Sequence, residues 1–79
     1  MVSADSEGVR KRSVRIAGHP TSISLEEPFW SELRRIARAR GQSLNALVTA
    51  VDAERSRANL SSALRLLVLA ELRREAGRP

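Results

Sequence analysis

The stretch Thr21-Ser22-Ile23-Ser24-Leu25, with Pro20 before it and Glu26 after it, decides the reading of this chain. Its residues alternate strictly. Thr21, Ile23 and Leu25 fall on one face, and Ser22 and Ser24 on the other, which predicts a strand over 21–26. Pro20 has no amide hydrogen to give to a ladder and suits the start of a strand. Just upstream, Val14 and Ile16 have the opposite parity, and Gly18-His19-Pro20 interrupts, so 13–17 is read as something other than an extension of the same strand. A lone strand cannot satisfy its own backbone groups. The simplest partner is the same strand of a second copy, antiparallel about a two-fold axis. Ile23 and Leu25 of both copies then face a shared core, and Ser22 and Ser24 face outward from a two-stranded ribbon.

Downstream, the period changes from two to about three and a half. Pro28 suits the first turn of a helix, with Glu26 and Glu27 near its positive end. Phe29, Leu33, Ile36 and Ala37 form an apolar stripe, and Gly41 ends the element, giving a helix over about 28–40. Ser43 is a good N-cap for a second helix over about 43–56, in which Leu44, Leu47, Val48 and Val51 recur at helical spacing. A third helix, about 60–76, starts from Asn59 or Ser61 as cap. Leu64, Leu66, Leu67, Val68, Leu69 and Leu72 give it an apolar arc too wide to be covered from one side. Phe29 and Trp30 are adjacent and cannot share one helix face, so at least one is expected under the ribbon or against the third helix. The expected core, shared between two copies, is Ile23, Leu25, Trp30, Leu33, Leu47, Val48 and Val51.

Upstream, residues 1–9 are small and polar and are read as a disordered tail. Residues 10–20 are read as a basic arm, since Arg10, Lys11, Arg12 and Arg15 place four positive charges within six positions. Across the whole chain, 14 Lys and Arg against 9 Asp and Glu leave a formal net charge of +5. The 79 residues allow one small domain, marginal by itself, and 42% hydrophobic content without a cysteine staple points to self-association. The absence of cysteine excludes disulfides, thiolate metal sites and cysteine nucleophiles, and one histidine offers no zinc set. Neither a metal nor a cofactor is expected. The uncharged run Leu66 to Ala70 falls far short of a bilayer span, and the polar start of the chain has no apolar leader core, so a cytoplasmic protein is expected.

Taken together, Gly18-His19-Pro20-Thr21-Ser22-Ile23-Ser24-Leu25-Glu26, Phe29-Trp30, Arg40-Gly41-Gln42-Ser43-Leu44-Asn45 and Asn59-Leu60-Ser61-Ser62-Ala63-Leu64-Arg65 resemble the ribbon-helix-helix family of dimeric DNA-binding repressors. More narrowly, they resemble a bacterial subgroup that carries a third helix, with the likeness running over about residues 11–74. The fold implied is mainly α: a homodimer with an intersubunit two-stranded β-ribbon and an additional C-terminal helix. The resemblance implies a sequence-specific, repressor-like transcriptional regulator that binds double-stranded DNA in the nucleoid. By position, Pro20, Ser22 and Ser24 would meet base edges, and Gln42, Ser43 and Asn45 would meet phosphate at the start of the second helix. Relatives often carry longer polar or basic residues on the ribbon, whereas two serines discriminate weakly between bases. Charge is therefore expected to come from the arm, beside the ribbon.

Other classes are weaker. No general base or nucleophile is paired with a histidine, and Ser61-Ser62 has none nearby, so an enzyme is not expected. The alternative is an antitoxin-like or adaptor dimer whose third helix receives a protein partner. Higher oligomers on DNA are compatible with either reading, and a membrane role with neither.

Overall fold

The computed structural model describes residues 8–54 and 59–77. Two strands, β1 (Val9–Ile16) and β2 (His19–Glu26), are followed by three helices, α1 (Glu27–Ala39), α2 (Leu44–Glu54) and α3 (Leu60–Glu75). The ribbon-helix-helix order with an added third helix is present. The source of the second ribbon strand differs from the sequence reading. β1 and β2 pair antiparallel within one chain, from Val9 opposite Glu26 to Ile16 opposite His19. The ribbon seen here is a hairpin, where the sequence reading drew its second strand from another copy. Residues 10–16 of the expected arm are β1, and 17–20 are the turn and the start of β2. Residues 1–7 of the expected tail lie outside the described residues, and Val9 already belongs to β1.

The turn explains the difference. Ala17 and Gly18 both have positive φ, 52° and 83°, as a two-residue type I′ turn requires. In a hairpin closed by two residues, opposite parity in sequence becomes the same face in space. The parity of Val14 and Ile16 thus marks a chain reversal. Pro20 lies opposite Arg15, in a pair whose backbone groups point away from the partner strand, so its missing N–H costs the ladder nothing.

α1 starts with Glu26 as N-cap and Pro28 in its first turn. It ends in a Schellman arrangement, with Gly41 N–H donating to the Arg38 carbonyl at 3.0 Å and Gln42 N–H to the Ala37 carbonyl at 2.8 Å. Gly41 takes the required left-handed conformation at φ 69°. The Ser43 hydroxyl accepts from Ala46 N–H at 3.0 Å and caps α2. Asn59 caps α3 by accepting from Ser62 N–H at 2.8 Å. Residues 55 and 56 of the expected second helix are outside the described residues.

The three helices cover one face of the hairpin. Val14, Ile23, Leu25, Trp30, Leu33, Ile36, Ala37, Leu47, Val48, Leu64 and Val68 form the buried cluster, and Val51, Phe29, Leu44, Leu60, Leu67 and Ile16 pack half-buried against it. Trp30 is completely enclosed beneath the ribbon, and its Nε1–H donates to the Arg10 carbonyl at 3.0 Å. Ion pairs fasten α3 along α1. Arg65 meets Glu26 at 3.0 Å, Arg40 meets Glu71 at 2.6 Å, and Arg35 joins Glu75 at 2.9 Å while also holding Glu32 at 2.8 Å.

Candidate nucleic-acid interface

Alternation along two paired strands sorts their side chains into two faces. Facing the helices are Arg10, Arg12, Val14 and Ile16 of β1, opposite Leu25, Ile23, Thr21 and His19 of β2. Facing away are Lys11, Ser13 and Arg15, opposite Ser24, Ser22 and Pro20. The three expected ribbon residues therefore do share the outward face, and the neighbouring strand adds a lysine, a serine and an arginine beside them. Ser13 was not among the residues singled out in the sequence. The signal that finds it is the pairing register, in which partners sum to a constant across Ala17-Gly18.

The basic segment is divided by the same rule. Arg12 lies over the Trp30 ring, 5.6 Å from its centroid, and its guanidinium is 4.0 Å from Glu27. Arg10 reaches the same carboxylate at 4.0 Å, and Arg34 holds its other oxygen at 3.1 Å. Both side chains remain largely exposed, 67% for Arg10 and 43% for Arg12, yet they bend over the rim towards α1. Lys11 and Arg15 are on the opposite side of the sheet. Arg15 donates from its guanidinium to the Gly18 carbonyl at 3.2 Å, which lays it along the turn.

Of the expected phosphate contacts, Ser43 is the cap of α2 described above. Asn45 has a further task. Its side chain accepts from Arg15 N–H at 2.7 Å and donates to the Arg15 carbonyl at 2.7 Å, pairing with the open edge of β1 as a neighbouring strand would. Thr49 Oγ1 adds a longer bond to the same carbonyl, 3.4 Å. Gln42 closes the Schellman motif through its backbone, and its Oε1 is buried without a hydrogen-bond partner. The start of α2 is thereby held against the ribbon at Arg15. A hollow of about 230 Å³ lies between them, lined by Ser13, Val14, Arg15, Pro20 and Asn45. Ala46 N–H is taken by the Ser43 cap, and the other leading amides of a helix start are the kind of donors that attract an anion.

Among the described residues of the two strands, the acidic side chain on the outward face is Glu26, at its far end. Arg65 clasps that carboxylate with bonds of 3.1 and 3.3 Å. A backbone N–H and then Arg65 hold its carboxyl below the ordinary range. On the other flank of β2, Ser61 Oγ donates to the Ser24 carbonyl at 3.1 Å, bringing the start of α3 against that edge. A cleft of about 540 Å³ continues beside it, between His19, Ser22, Asp52 and Asn59. Among the described residues no group of His, Cys, Asp and Glu is arranged to hold a metal ion, and no helix is long and apolar enough to cross a membrane.

The outward face is thus a two-stranded ribbon carrying short polar and basic side chains, backed by three helices. Residues 9–72 match the family model of the ribbon-helix-helix domain, and the chain belongs to that family. Its members are generally DNA-binding regulators or antitoxins, and they generally dimerise. Among solved structures, the chain is similar to an uncharacterized protein from Bordetella pertussis Tohama I, with a TM-score of 0.74 and 30% sequence identity. The likeness covers 96% of this chain and 66% of that one. No curated protein matches.

Proposed function

We propose that the chain is a sequence-specific, double-stranded-DNA-binding transcriptional regulator of repressor type that works on the nucleoid as a homodimer. The carrying observation is the outward face of the ribbon, where Pro20, Ser22 and Ser24 stand free of the core and beside positive charge. A ribbon of this width enters the major groove, where serine hydroxyls bond base edges and a proline ring packs on a thymine methyl. The start of α2, with Ser43 at its cap and Gln42 and Asn45 on either side, approaches a phosphate. The positive charge of β1 supplies the sequence-independent share of affinity. A second copy is supported by the apolar surface that one chain leaves open: Leu66 is 60% exposed, and Leu69 and Leu72 are each 43% exposed.

The test is binding of the purified protein to its own upstream DNA and to a scrambled duplex of equal length across a salt series. Preference for the native duplex of about 10³ or more near physiological salt supports a specific regulator. Equal, steeply salt-dependent binding refutes specificity for that sequence, and no binding at low salt refutes the DNA reading. The exposed leucines of α3 also favour a second reading, an antitoxin-like or adaptor role with a protein partner on α3. In that case Leu66→Glu abolishes the partner complex and leaves DNA binding intact.

A further inference from the structure

Resting on the DNA reading above, we infer that the basic run of β1 is two separate devices, with Lys11 and Arg15 as DNA contacts and Arg10 and Arg12 as parts of the scaffold. Together with Ser13 and the β2 residues Pro20, Ser22 and Ser24, Lys11 and Arg15 make a composite recognition face from the two strands of one chain. Register carries the argument. Lys11 stands opposite Ser24 and Arg15 opposite Pro20, both on the face turned from the helices. Arg10 and Arg12 stand opposite Leu25 and Ile23, which are buried at 0% and 3% exposure, and so emerge on the helix side.

Chemistry agrees with register. Glu27, held in the first turn of α1, draws Arg10 and Arg12 towards it, and the Trp30 ring lies under Arg12. Glu27, which Arg34 also holds, offsets part of their charge and turns both side chains towards α1, away from the outward face. Lys11 and Arg15 have no carboxylate within 4.0 Å in the described structure. Arg15 is also pre-positioned. Asn45 fixes its backbone, and its guanidinium lies along the turn at Gly18 with donors to spare. Four residues of strand separate Lys11 from Arg15, about 13 Å, comparable to the roughly 12 Å width of the major groove. With two serines and a proline between them on β2, the cations flank the short side chains that would read the bases.

The partition is tested with charge-matched pairs in the full chain, Lys11→Gln/Arg15→Gln against Arg10→Gln/Arg12→Gln, each removing two positive charges. Affinity for the preferred duplex is measured over a salt series, and urea unfolding is followed by Trp30 fluorescence. For Lys11→Gln/Arg15→Gln the expected result is at least a tenfold loss of affinity. The slope of log affinity against log salt flattens by about 2 per chain engaged, since each phosphate contact contributes about 0.9. For Arg10→Gln/Arg12→Gln the expected result is a lower urea midpoint with the salt slope retained. Lys11→Gln against Arg12→Gln repeats the comparison without touching the turn. Equal losses of affinity and slope in the two pairs would overturn the partition while leaving the DNA reading in place. Failure of the unaltered protein to bind any duplex at low salt would remove both.

Discussion

Asn45→Ala is the sharpest test of how the ribbon is held. The Asn45 side chain makes two 2.7 Å bonds to the backbone of Arg15, and alanine removes both. A typical intramolecular hydrogen bond contributes about 0.5–1.5 kcal/mol net, and both of these are exposed, so water takes up the freed Arg15 groups without a burial penalty. The lower half of that range for two bonds gives a loss of about 1–2 kcal/mol. A small domain has a urea dependence of about 1 kcal/mol per M, which turns the loss into a midpoint shift of about 1–2 M. Trp30 is the one tryptophan of the chain and lies beneath the hairpin, so its emission reports unfolding directly. The titration is run at one fixed protein concentration, because association would otherwise add its own contribution. Thr49→Val is the comparator. It removes only the 3.4 Å bond to the Arg15 carbonyl and the bond to the Asn45 carbonyl within α2, and it should cost under about 0.5 kcal/mol. A midpoint for Asn45→Ala within about 0.3 M of the unaltered protein, or an equal loss from Thr49→Val, would refute the view that Asn45 ties α2 to β1.

Three further outcomes are expected. Ala17→Asn should raise stability by about 0.5–1 kcal/mol, read as a melting temperature several degrees higher, because Asn tolerates the left-handed conformation that Ala17 adopts at φ 52°; a lower melting temperature would contradict the turn assignment. Leu64→Ala should cost about 2–5 kcal/mol in urea unfolding, since this fully buried side chain anchors α3 to the core; a loss below about 1 kcal/mol would mean that α3 is not packed as described. The Glu26 carboxyl is held low by a backbone N–H and Arg65, and that of Glu71 by Arg74 and Arg40. Because these folded-state values lie below the ordinary 4.5, their contribution to stability is complete above that pH and lost as pH falls through the lower folded values. Arg40→Gln/Arg74→Gln should therefore flatten the acid limb of the stability profile, and an unchanged limb would refute the linkage.

The elements with one clean period were legible in the sequence. Ile23 and Leu25 alternate with serines, and α1 and α2 announce themselves by spacing and by Pro28, Gly41 and Ser43. β1 was hidden for physical reasons. Arg10 and Arg12 occupy its helix-facing positions, where hydrophobic alternation would be sought, because long side chains bend over the rim of Trp30 and keep their charge in water. The turn also lacks the Asn-Gly or Asp-Gly pair that usually marks a hairpin. The outward positions of Pro20, Ser22 and Ser24 followed from parity alone. The neighbours Lys11, Ser13 and Arg15 required a register, and the bond from Asn45 to Arg15 spans thirty residues that no local pattern connects.

Because the hairpin closes inside one chain, its outward face obeys a different law of mass action from a ribbon assembled out of two. A ribbon with one strand from each copy exists only while the dimer does, so its surface disappears on dilution. Here β1 and β2 are joined by Ala17-Gly18 at an effective concentration that dilution cannot change. Each newly made chain carries both strands of that face. Under the proposed DNA-binding role, assembly would set only how many such faces meet one duplex, and in what spacing, while the face itself is already there at the first copy.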